Sequence, residues 1–305
     1  MTADSMDGFE YKPASEFESE AMRRHYWAVA IGLQAVDGLS VSSYLKQRAQ
    51  EYIHGERNLS ETGSLIRAYH RNSNPVAEDW IKETEEADLV SQRIVELLSD
   101  SPFFLGPDFL PYIHGYLFQD LNGDIYHPGE FKSERLAKQE DILNGDSVLY
   151  ADPSTYKVSL HAAFEREAER EYTILSEDEL QQFTQTLAFL WQIHPFYEGN
   201  TRTIAVFSEL YLRSLGFGIA DEPFQQNSKF YRDALVRAVY RNPDAGIFPD
   251  RSFLVAFYEN LIGCKQNVLD RKELLCLALF EDPSLLRNID PSEALFKGDS
   301  QDGIS

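Results

Sequence analysis

The residues best able to do chemistry stand together in His194-Pro195-Phe196-Tyr197-Glu198-Gly199-Asn200-Thr201-Arg202. Gly199, Asn200 and Thr201 fall where an apolar helix begins, so the first backbone N–H groups there lack partners within the helix and the helix dipole is positive. Gly199 lets a ligand come close to the backbone, Asn200 adds an amide donor, and Arg202 adds a permanent charged fork. Such a set binds anions, phosphates above all. Glu198 beside it is an acid whose natural counterpart is a hard cation such as Mg²⁺, bridging carboxylate and phosphate. His194 is the one nearby side chain that exchanges a proton near neutral pH, which suits a general base. Phe196 is apolar and should anchor the loop in the core. Taken singly, each residue reads as a cap or a turn; the spacing, followed by a buried helix, is much rarer.

The elements that must position this loop are helices. Ser176, with Glu179 three residues on, makes a capping box for a helix to Ile193 lined by Leu180, Phe183, Leu187 and Leu190. A helix from Thr201 to Leu215 is apolar nearly all round, should lie at the centre, and ends at Gly216. Upstream, helices are expected over 19–36, stopped by Gly38, then from an N-cap at Ser40 to His54, and over 60–70. Others are expected over 76–98, 109–121 and 155–171, and after the motif near 229–240, 251–266 and 270–280. Asn144-Gly145-Asp146, between Leu136, Ile142, Val148 and Leu149, signals a short β-hairpin within 131–150. The fold class is therefore all-α, a helical bundle with a hairpin flap and an N-terminal three-helix module. The expected domains are a loose N-terminus (1–18), the small module (19–70), the main domain (76–265), and a C-terminal helix and tail (266–305), with a linker at 71–75.

Composition narrows the function classes. The 305 residues carry 28 Lys and Arg against 50 Asp and Glu, a net charge of −22, with no basic run to offset it. Nucleic acid is thus a like-charged partner and is not expected. The acids of 78–100 read as a solvated helix face. No apolar run approaches the ~20 residues that span a bilayer, and the acidic start does not fit a secretory signal. Two cysteines, Cys264 and Cys276, read as buried free thiols in a reducing compartment.

The loop resembles the Fic motif, His-x-Phe-x-(Asp/Glu)-Gly-Asn-(Gly or similar)-Arg-x-x-Arg, matched at His194, Phe196, Glu198, Gly199, Asn200 and Arg202. Ile113-His114-Gly115 and Asp124 to Phe131 are similar to the family's elements before its flap. Phe230-Tyr231-Arg232 is similar to its later helix near the adenine, so the likeness spans about 76–260. The resemblance implies a protein adenylyltransferase that moves AMP from ATP to a Ser, Thr or Tyr hydroxyl. It makes His194 the base and Glu198 the Mg²⁺ ligand. Gly199, Asn200, Thr201 and Arg202 would hold the phosphates, and Tyr231 would contact the nucleotide. The target would dock by strand addition at the 131–150 hairpin. A bacterial cytoplasmic location is implied, with delivery to another cell and a homodimer left open. Other readings also stand: nucleotide or partner binding without transfer, a different nucleotide donor, or AMP removal.

Two departures bear on activity. Thr201 stands where many members have Gly, and the second motif arginine is Ala205. Residues 25–70 resemble the small antitoxin that accompanies some Fic toxins. At the inhibitory positions the chain reads Leu33-Gln34-Ala35-Val36-Asp37-Gly38, with Asp37 for the usual Glu. With Ala205 unable to pair, Asp37 is expected to lack an arginine partner. Residues 19–38 should then be mainly a packing helix, and Asp37→Ala should raise transfer little.

Overall fold

The computed structural model describes residues 18–72, 79–287 and 289. Residues 1–17, residues 73–78 with part of the linker and the start of the expected 76–98 helix, and residues 288 and 290–305 lie outside these residues. Helices dominate, in the order α1 Glu20–Gln34, α2 Ser43–Ile53, α3 Leu59–Asn72, α4 Asp79–Asp100, α5 Phe109–Phe118 and α6 Gly123–Tyr126. A two-stranded antiparallel sheet follows, β1 Ala137–Gln139 on β2 Ser147–Leu149, with Lys138 opposite Val148. Then come α7 Tyr156–Ala168, α8 Glu177–Ile193, α9 Asn200–Ser214, α10 Glu222–Val239, α11 Ser252–Leu261 and α12 Leu277–Glu281. The all-α class with a short hairpin is what the sequence led one to expect. Among the described residues no helix is long and apolar enough to cross a membrane.

Local signals set many boundaries. Ser19 caps α1 by accepting from the Met22 N–H, and Gly38 (φ 75°) takes the left-handed turn after it. The Ser176–Glu179 capping box forms on α8. Other boundaries differ: α5, α7 and α11 end three to five residues early, at Phe118, Ala168 and Leu261. Ser42, not Ser40, caps α2, because its hydroxyl accepts from the Leu45 N–H while also donating to the buried Asp88 carboxylate. α10 starts earlier, at Glu222, and is interrupted at Asn227 (φ −124°, ψ 25°). The expected 270–280 helix is two pieces, because Leu275 runs extended and the Cys276 N–H donates to the Ile142 carbonyl in the turn between the two strands. Cys276 at that break is buried, whereas Cys264, past the end of α11, is exposed, so only one of the two thiols is buried.

The central helix is α9, buried at every residue from Asn200 to Leu212. α5 and α8 pack on it, and α7 packs on α8. α1 packs against both α4 and α10, burying Tyr26, Trp27, Ala30 and Leu33 in the same hydrophobic core. Its seat on α10 is backbone to backbone: a Cβ on Gly32 would come within 2.3 Å of the Phe224 carbonyl oxygen. Ser228 donates to the Gly32 carbonyl at 2.7 Å, and His25 meets the buried Glu209 of α9 at 2.7 Å. The acids of α4 are only partly a solvated face, since Asp88 is fully buried among Ser42 and His70.

Leu33 is fully buried in this contact. Leu33→Ala is expected to cost about 2–5 kcal/mol of stability by loss of burial and a residual cavity. Urea denaturation of both forms measures it; a loss under about 0.5 kcal/mol, as at surface sites, would mean that α1 is not seated in the core.

Candidate active site

α8 ends at Ile193, and His194 leaves it in the left-handed conformation (φ 51°, ψ 57°), strained for a residue with a Cβ. Buried contacts hold it there. The Lys132 ammonium donates to the His194 carbonyl, and the Lys132 backbone N–H donates to the Pro195 carbonyl at 2.9 Å. Lys132 is itself buried, and burial pushes its pKa down to about 7. The imidazole stacks on Tyr150, just past β2, with centroids 3.7 Å apart, and meets the edge of Trp191. Neither ring nitrogen has a partner in hydrogen-bond geometry. Burial, aided by Lys132 and Lys138, lowers the His194 pKa well below the ordinary histidine value, the Trp191 carbonyl opposing weakly. That shift favours the neutral ring.

The next residues of the loop are fixed from α5. His114 stacks on Phe196 at 3.9 Å and nearly parallel. Its Nδ1 accepts from the Gly129 N–H at 3.0 Å, which leaves Nε2 to donate to the Glu198 carbonyl at 3.1 Å. Burial pushes His114 down to about 3, so this donor tautomer persists. Asn200 ties the loop to itself: its amide donates to the Phe196 carbonyl (2.8 Å) and accepts from the Phe196 N–H (3.1 Å). Gly199 (φ 74°) lies against Phe118, whose ring atoms a Cβ would meet at 2.2 Å. Only glycine fits there, for two reasons at once. Thr201 accepts from the Trp191 indole at 3.0 Å.

These residues border a cavity of about 340 Å³, into which His194, Glu198, Gly199, Asn200, Thr201 and Arg202 all come. Tyr231 does not join them; it is fully buried, hydrogen-bonded to Tyr258 at 3.0 Å, and its neighbour Arg232 lines the cavity instead. Glu198 is half-exposed, and both its oxygens are 3.0 Å from the Lys138 ammonium of β1. Among the described residues no group of three or more His, Cys, Asp or Glu side chains could hold a metal by itself.

The expectation that Asp37 lacks an arginine partner is overturned. Arg202 Nε lies 2.9 Å from Asp37 Oδ2, an ion pair whose angle falls short of a hydrogen bond. The same guanidinium reaches Glu86 at 2.7 Å and the Gln34 amide oxygen at 3.1 Å. Burial alone would lower the Arg202 pKa, but Asp37 and Glu86 outweigh it. Asp37 Oδ1 is 3.7 Å from Arg232. The short aspartate reaches because α1 tightens into a 3₁₀ turn at Ala35–Asp37 directly over the first motif arginine.

His114, Lys132, Lys138, Glu86 and Arg232 are site residues that sequence reasoning missed. Lys138 carried a signal, a base within the hairpin, and Arg232 lay in the segment compared with the adenine helix. Residues 104–212 match the family model of the Fic/DOC family. No curated protein matches the chain.

Proposed function

The chain is a Fic/DOC family protein, which supports a transferase-type enzyme, and we propose that it moves AMP from ATP to a protein hydroxyl. The observation that carries this reading is the convergence of a buried neutral His194, the α9 N-terminus and Glu198 on one cavity. In the proposed reaction the acceptor oxygen attacks the α-phosphorus as the bond to pyrophosphate breaks. His194 takes the hydroxyl proton, pyrophosphate leaves, and AMP remains on the acceptor. The N–H groups of α9 and the Arg202 fork stabilise the charge on the phosphates. Positioning and charge supply most of such a rate enhancement.

Glu198 fits a Mg²⁺ ligand. A single carboxylate suffices where nucleotide phosphates and waters would provide the remaining oxygens, and the Lys138 ammonium already marks the spot as one that takes positive charge. When bound, the ion would neutralise phosphate charge. The target segment would add to the β1–β2 hairpin by backbone pairing.

A second reading is nucleotide binding without transfer, favoured by Ala205 at the second motif arginine, buried in α9. Incubating the purified chain with labelled ATP and Mg²⁺, then weighing it by mass spectrometry, separates the two. Added AMP on the chain or on a lysate protein supports transfer; tight ATP binding with no label anywhere supports the second reading.

Asp37 occupies both cavity arginines, so Asp37→Ala is expected to tighten ATP by about tenfold, equivalent to 1.4 kcal/mol. The carboxylate now competes with phosphate for Arg202 and adds like-charge repulsion. Calorimetry with ATP on both forms measures the change. Equal affinities would show that α1 does not restrict the site.

A further inference from the structure

The motif lacks its second arginine, and the residue in its place, Ala205, is fully buried between Ile204 and Val206 in the central helix. We propose that Arg232, projecting from α10, replaces it and binds the terminal phosphates of a nucleoside triphosphate, at the position now held by the Asp37 carboxylate. This rests on the nucleotide reading above.

The geometry is that of a two-arginine anion clamp. Asp37 places one oxygen 2.9 Å from Arg202 and the other 3.7 Å from Arg232. A carboxylate between two guanidinium groups presents two acceptor oxygens, as a phosphate would. Arg202 Nε is buried 2.9 Å from Asp37 Oδ2 without hydrogen-bond geometry, so the present carboxylate leaves that donor unsatisfied. Arg232 lines the main cavity and also the adjoining one of about 260 Å³. Of the three cations in the main cavity, Lys138 is paired with Glu198 and Arg202 is partly held by Glu86 and Gln34.

Arg232 is also preorganised. Both Glu140 oxygens accept from one of its terminal nitrogens at 3.1 Å, while the other terminal nitrogen faces the Val36 carbonyl and Asp37. Glu140 follows β1 directly, so the hairpin fixes the direction of the fork. Departure of the Asp37 carboxylate leaves the second nitrogen with only its 3.4 Å hydrogen bond to the Val36 carbonyl and does not disturb the first. Charge agrees, since ATP carries the negative terminal phosphates that AMP lacks and that a second arginine would match.

A purely structural role, with Arg232 serving only to pair Glu140, makes a different forecast. The test uses the full chain with Asp37→Ala, which opens the clamp, and compares ATP with AMP by calorimetry in Mg²⁺. In that background Arg232→Gln is combined with Glu140→Gln, so that no buried carboxylate is left unpaired. The expected result is ATP weakened at least about tenfold with AMP changed less than about twofold, a loss of order 1.4 kcal/mol or more confined to the terminal phosphates. Arg232→Lys, which keeps the charge and loses the fork, is expected to lose less, and it serves as the reading variant if the pair fails to give a cooperative melt. Unchanged ATP affinity, or equal weakening of ATP and AMP, would overturn the assignment while leaving the nucleotide reading intact. Absence of any ATP or AMP binding by the parent Asp37→Ala chain would overturn both.

Discussion

His194→Ala is expected to reduce transfer by about 10²–10⁴-fold while leaving ATP affinity within about twofold. The ring lies at the mouth of the motif loop, buried, neutral and free of hydrogen-bond partners. Its proposed task is to take the acceptor's proton, with the phosphates held elsewhere, by α9 and the arginines. The pH dependence follows in sign. A histidine with a lowered pKa stays deprotonated as pH falls past its ordinary value, and the base is lost only when pH drops through the lowered one. The rate should therefore show no His194 acid limb near pH 6.5. Label transfer measured from pH 8 to pH 5.5, with ATP affinity measured in parallel, tests both parts. Full activity in His194→Ala would remove it from the mechanism, and a limb centred near 6.5 would mean the ring is exposed in the working state.

Removing the divalent cation, or Glu198 itself, is expected to have an effect of similar size, about 10²-fold or more, because metal charge stabilisation amounts to several kcal/mol. Glu198 stands beside the phosphate site, where an uncompensated carboxylate would repel ATP. At present the Lys138 ammonium supplies the compensation at 3.0 Å from both oxygens. Glu198→Ala should thus free the hairpin lysine and abolish the response of transfer to added Mg²⁺. Turnover measured with excess chelator, with Mg²⁺ and in the variant gives the comparison. Unchanged turnover in chelator would exclude Glu198 as a metal ligand. A variant that keeps a full Mg²⁺ response would place the ion on other groups.

The sequence by itself determined those features whose causes are local. The capping box at Ser176 and Glu179, the left-handed glycines at 38, 199 and 216, and the all-round apolar run of α9 each depend on residues a few positions apart. The motif was legible for the same reason, since its six matched positions lie within nine residues. Tertiary structure decided which of two adjacent side chains on α10 enters the cavity. Tyr231 is drawn into the core by Tyr258, twenty-seven positions on, and Arg232 consequently faces Asp37 and Glu140. It also decided that the Asn200 amide closes the loop on Phe196, because the loop must turn back on itself to let His114 stack. The pairing of Asp37 with Arg202 was the least legible of all. It depends on where α1 comes to rest, and that is set by the Gly32 contact with α10, the burial of Leu33 and the His25–Glu209 link to α9. Residues so far apart in sequence meet only through the packing of whole helices, and residue type and spacing along one segment carry no information about that distance.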